Sequence, residues 1–198
     1  MRARIAGFSY IELLVSTTIL SVCYVMLMGS GSALGQSRAK AQCAEHLAQL
    51  HQSLALYAAE HEGAFPQVSG AASSEAPLSL LVPLYTTDTS LFICPGSKDA
   101  PLPPAQPFTD RHISYAYYMG LRRDAPAHTP LVSDAQANLG AKTYGTAIFS
   151  TEGNSPGNKH RTYGGNILFV DGHVETCNTM LPRDLSWPAD VVPLNPQP

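Results

Sequence analysis

The pattern of apolar and polar positions changes sharply along the chain. From Phe8 to Leu34 the only charged side chain is Glu12, and apolar residues dominate with serine, threonine and glycine among them. From Gln36 polar residues take over, while Leu47, Leu50, Leu54, Tyr57 and His61 fall at steps of three and four with Ala58 beside them. That spacing lines one face of a helix with apolar side chains and predicts an amphipathic helix packed on a domain. No proline occurs between Met1 and Glu62, so one helix can run through both stretches. Gly63 is placed to cap it and Pro66 to stop it. Because roughly 20 apolar residues cross a bilayer, the first stretch is expected to be transmembrane.

Beyond residue 60 the pattern shortens, with all sixteen prolines and most of the fifteen glycines breaking the chain into brief segments. Residues 67–77 and 96–110 read as loops. Residues 77–85 suit a short helix or an irregular packed turn, and Leu91 to Pro95 a central strand or a buried turn. Ile113–Met119, Pro130–Ser133 and Ala147–Ser150 are strand candidates. Asn166–Val170 and His173–Cys177, joined by Asp171 and Gly172, predict a hairpin with a two-residue turn. The expected fold class is α+β, with a long N-terminal helix, transmembrane then amphipathic, packed on a small antiparallel β-sheet head.

Composition narrows the function. A hydrophobic share of 44% in 198 residues allows one modest core. The net charge of -3 and pI near 6.1 give no basic field, so no nucleic-acid partner is expected. No nucleophile motif, phosphate loop or paired CxxC occurs, and the chain is not expected to be an enzyme.

The first seven residues, MRARIAG, carry Arg2 and Arg4 and no acid. Glu12 within the apolar run costs on the order of 2.5 kcal/mol or more in lipid unless it finds a partner. A secretory signal peptide would have a shorter apolar region. A lipoprotein anchor at Cys23 would need a small residue where Val22 stands, and a plain anchor leaves Glu12 unexplained. GFSYIELLVSTTIL resembles the cleavage and methylation motif of prepilins and type II secretion pseudopilins. The resemblance implies a cut between Gly7 and Phe8 by a prepilin peptidase, N-methylation of Phe8, and use of Glu12 against a neighbouring subunit's α-amine during assembly. The segment from Cys43 to Pro66 is similar to the helix end and exit of pseudopilins.

HRTYGGNILFVDGHVE, from His160 to Glu175, resembles the C-terminal signature of bacterial prepilin-like proteins named for a histidine and a downstream Asp-Gly, with one residue more between them than that group has. FICPGSKD and SYAYYMG resemble other segments of the same group. The implied partners are copies of itself or other pilins, the prepilin peptidase, an inner-membrane assembly machinery and membrane lipid. The implied location is a bacterial inner membrane, single-pass, with the head in the periplasm or on an extracellular filament. The division is a leader at 1–7, a transmembrane half-helix at 8–35, an amphipathic half at 36–63 and a head at 64–198.

Cys43, Cys94 and Cys177 fall outside the expected membrane segment, and three cannot all pair. The expected bridge is Cys43 to Cys94, from helix to head; Cys177 is the competing partner, and free buried thiols are the other reading. His46, His51 and His61 are read as surface or helix-packing residues. Asp171, His173 and Glu175 are weak metal candidates, and the heads of major pseudopilins hold calcium as a family. Calcium, however, prefers several oxygens to imidazole, so the hairpin is read as structural. The expected function is a structural subunit of a pseudopilus or type IV pilus. The alternative is a membrane-anchored periplasmic ligand- or metal-binding protein using His160, Asp171 and His173.

Overall fold

The computed structural model describes residues 9–140 and 142–198, without the side chains of 26–33. The expected leader and the Gly7–Phe8 cut lie outside the described residues. The longest element is helix α1, Tyr10–Glu60. Residues 1–35 and 36–198 form two compact units, and α1 contributes to both.

In the first unit the described side chains of α1 are exposed all round. Tyr10, Ile11, Leu20 and Val25 are 66–75% accessible. The hydroxyls of Ser16, Thr17, Thr18 and Ser21 donate to carbonyls three or four residues back, so the helix satisfies them itself. The expectation of a transmembrane half-helix is corrected here. Among the described residues, no helix is long and apolar enough to cross a membrane. Glu12 and the hydroxyls of Ser16, Thr17, Thr18 and Ser21 lie within the stretch from Tyr10 to Val25 and dilute its apolar character. The single-pass inner-membrane location, which rested on that span, is corrected with it.

The second unit is built on a five-stranded antiparallel sheet in the order β4-β3-β2-β1-β5. The strands are β1 Tyr115–Met119, β2 Pro130–Asp134, β3 Gly165–Phe169, β4 Val174–Cys177 and β5 Val192–Leu194. From α1, Cys43, Leu47, Leu50, Leu54 and Ala58 enter the main core with Tyr115, Tyr117, Leu131, Val132 and Leu168. The stripe at steps of three and four is thus the buried face, and Tyr57 and His61 stack at its more open end with ring centroids 3.8 Å apart. Past Glu60, Gly63 has φ +85° and its N–H reaches the Ala58 carbonyl at 2.8 Å, closing the helix.

Helix α2 is Glu75–Ser79. Leu91 belongs to a 3-10 turn, Thr89–Phe92, capped by the Asp88 side chain, rather than to a strand. Ala147–Ser150 forms only an isolated bridge, Ala147 to Met180, and supports a second small cluster of Ile148, Phe149, Ile167 and Phe169. The β3–β4 connection also differs from expectation. Leu168 pairs with Val174, and the Phe169 N–H donates to the His173 carbonyl at 3.0 Å, leaving a loop of Val170, Asp171 and Gly172. Only Gly172 takes a positive φ, +92°, as a type I turn closed by a left-handed residue requires. A Cβ there would meet the His51 ring at 2.7 Å, so glycine also lets the turn approach α1.

Candidate functional site

Three places bear on function. The first is the N-terminal part of α1, where Glu12 is the one charged side chain on an exposed apolar surface. Glu12 lies in the first helical turn and accepts from the Ser9 N–H at 3.4 Å. A carboxylate there favours the positive end of the helix dipole. Gly7 and Phe8, the expected cleavage and methylation residues, lie outside the described residues.

The second is a buried polar node where α1 meets the sheet. Cys43 of α1 is bridged to Cys94, with Cα atoms 5.3 Å apart. His160, fully buried, places Nε2 at 3.3 Å from Cys94 Sγ and 3.4 Å from Asp134 Oδ2. Asp134 Oδ2 also accepts from the backbone N–H of Asn166 at 2.7 Å, and Asn166 Nδ2 donates to the Lys40 carbonyl at 2.9 Å. Lys40 Nζ donates to the carbonyls of Tyr163 and Cys177 at 2.6 and 2.7 Å. Burial pulls the Lys40 ammonium below its ordinary value, against the Cys177 thiol and the Asp134 carboxylate, which raise it.

Ligand atoms of Cys43, Cys94, Asp134 and His160 lie within 4.8 Å of one another, but the two sulfurs are bonded to each other. A metal needs the thiolate, so the bridged node is a structural clamp rather than a metal centre. Cys177 is a buried free thiol and Cys23 an exposed one.

The third place is the β3–β4 turn. Asp171 Oδ1 meets His173 Nδ1 at 2.5 Å and accepts the His173 backbone N–H at 3.1 Å. Slight burial raises the Asp171 pKa, but the two bonds from His173 and the nearby His173 and His128 rings outweigh it and hold the carboxyl low. Glu175, the third weak metal candidate, pairs instead with Arg183. His160 belongs to the buried node and does not join Asp171 and His173, so the His160, Asp171, His173 site of the alternative reading is not assembled. In its place stands His128, which sequence reading missed.

Lys40, Asp134 and Asn166 were also missed. Asn166, polar within the otherwise apolar run of β3, was the one available signal. The helix histidines serve packing: His46 Nδ1 reaches the Ile93 carbonyl at 3.2 Å and His51 Nε2 the Val170 carbonyl at 3.1 Å. A groove lined by His46, Asp88, Ile93, Pro101 and Leu102 is largely apolar and brings together no set of catalytic groups. The chain matches no family model, no curated protein and no solved structure.

Proposed function

We propose that this chain is a pilin-like structural subunit, cut between Gly7 and Phe8 by a prepilin peptidase. It then assembles with copies of itself or related chains into a pseudopilus or type IV pilus, through a dedicated machinery. The observation that carries the reading is the exposed apolar surface of α1 from Tyr10 to Val25, with Glu12 as its only charge.

Ten large apolar side chains in that stretch are about half or more accessible. Burying a large side chain fully stabilises by about 1.5–3 kcal/mol. Half-covering this surface with like helices therefore yields on the order of 10 kcal/mol, comparable to the roughly 4–15 kcal/mol that association costs. An apolar helical bundle also makes an unpaired Glu12 expensive, and the α-amine that the cut creates at Phe8 of a neighbour would neutralise it. Apolar area thus drives assembly, while the acid sets the register between subunits.

Mass spectrometry of the protein from its native host tests the cut, with a chain beginning at N-methylated Phe8 expected. Sedimentation of sheared filaments tests the acid, with Glu12→Ala expected to lower the assembled fraction by about tenfold or more, as loss of one buried pairing does. An intact Met1 beside an active peptidase, or undiminished filaments from Glu12→Ala, would overturn the reading.

A further inference from the structure

We propose that His128, Asp171 and His173 form a surface site for one divalent transition-metal ion of the zinc class. Their ligand atoms all lie within 4.8 Å of one another. Backbone bonds create the cluster. The Val170 N–H donates to the Thr129 carbonyl at 3.0 Å and the Asp171 N–H to the Ala127 carbonyl at 3.4 Å, pinning the segment before β2 against the β3–β4 turn. That places the His128 and His173 rings 5.4 Å apart at 76°. Phe169 stacks on His173 at 4.3 Å with nearly parallel planes and fixes the orientation of that ring.

Two imidazoles and one carboxylate are a borderline donor set that suits zinc, copper or nickel and not calcium, which takes six to eight oxygens. With metal–ligand bonds of about 2.1 Å, donors around one tetrahedral zinc lie about 3.4 Å apart. The widest pair therefore has to close by little more than an ångström, His128 being exposed, while Asp171 gives up its 2.5 Å contact with His173 Nδ1 and opens slightly to take the ion instead. Three protein ligands leave a fourth position for water or for a donor from another molecule. Local charge permits a cation, since Arg183 lies over the Phe169 ring while paired to Glu175. A bound ion would tie the loop at 127–129 to the hairpin, adding a link that the hydrogen bonds alone supply without it.

The test uses the full chain stripped of metal and titrated calorimetrically with zinc, so its outcome is independent of filament assembly. One equivalent should bind, and His128→Gln and His173→Gln should each weaken affinity by at least about tenfold, the lower end of what even supporting residues contribute to a metal site. His61→Gln, which alters an exposed histidine outside the cluster, should leave the affinity unchanged. Zinc should also raise the melting temperature of the unaltered chain and not that of His128→Gln, because an ion bound only to the folded state stabilises it by mass action. Exposed His128 makes no hydrogen bond among the described residues, so its variant keeps the fold, and circular dichroism verifies this. The absence of saturable zinc binding, equal affinity in His128→Gln, or displacement of zinc by calcium would overturn the site.

Discussion

At the scale of single residues, Cys177 shows how burial sets chemistry. It ends β4 at 7% exposure, and its backbone carbonyl, not its sulfur, receives the Lys40 ammonium. Burial pushes the thiol from 9.0 up to about 12, the Lys40 charge pulling it down and the Glu175 and Asp134 carboxylates adding to the rise. The unfolded thiol ionises near its ordinary value, so between about 9 and about 12 the folded chain holds one proton more. Stability is therefore lost as pH rises through that window. Cys177→Ala keeps the bond from Lys40 and removes this proton. Denaturant titrations from pH 8 to 11 should show the unaltered chain falling more steeply than the variant above pH 9. Subtracting the two curves also removes Lys142, which burial pushes down to about 8 and which acts in the opposite sense. Parallel curves would show that the thiol ionises in the fold as freely as outside it.

At the scale of elements, the β3–β4 hairpin separates two costs of adding a methyl group. Gly172 and Gly164 both have positive φ, +92° and +79°, so alanine at either pays about 1–2 kcal/mol of left-handed strain. A Cβ at Gly172 meets the His51 ring, which can turn aside after giving up its bond to the Val170 carbonyl. A Cβ at Gly164 runs into the Cys177 carbonyl and meets the Asn178 backbone at 2.5 Å, and these cannot yield without breaking the β3–β4 pairing. Gly164→Ala should lower the denaturation midpoint clearly more than Gly172→Ala; the reverse order would mean that the hairpin backbone gives more easily than a side chain. The same hairpin marks what was legible beforehand. Asp-Gly between apolar runs and the stripe from Leu47 to Leu54 are local patterns, and the hairpin and the buried helix face stand where these put them. Strand β5 was invisible because it is three residues long and centred on Pro193, tolerable only because it pairs on one side, at the sheet edge. Ala147–Ser150 looked equally strand-prone, yet it makes only the isolated bridge from Ala147 to Met180 and packs Ile148 and Phe149 into the second cluster instead of joining the sheet. His128 could not be found either, since backbone bonds between distant segments, not spacing, bring it to Asp171.

At the scale of the whole molecule, the question is what covers α1 between Tyr10 and Val25, and the four cysteines supply a probe. Cys43 and Cys94 are bridged, Cys177 is buried, and Cys23 is an exposed thiol on the surface in question. Alkylation of the isolated subunit should therefore add one adduct per chain, at Cys23, because thiol reactivity follows exposure and ionisation. If like helices bury that surface, the same reagent should label Cys23 in assembled filaments at least about tenfold more slowly, as a thiol buried in apolar surroundings behaves. Glu12→Ala subunits, which should not assemble, would keep the fast rate under filament-forming conditions. The comparison isolates the interface, because Cys177 responds to unfolding and not to assembly. Equal labelling of Cys23 in subunit and filament would place the contact elsewhere on the chain, and the apolar run would then need another partner to account for its exposure.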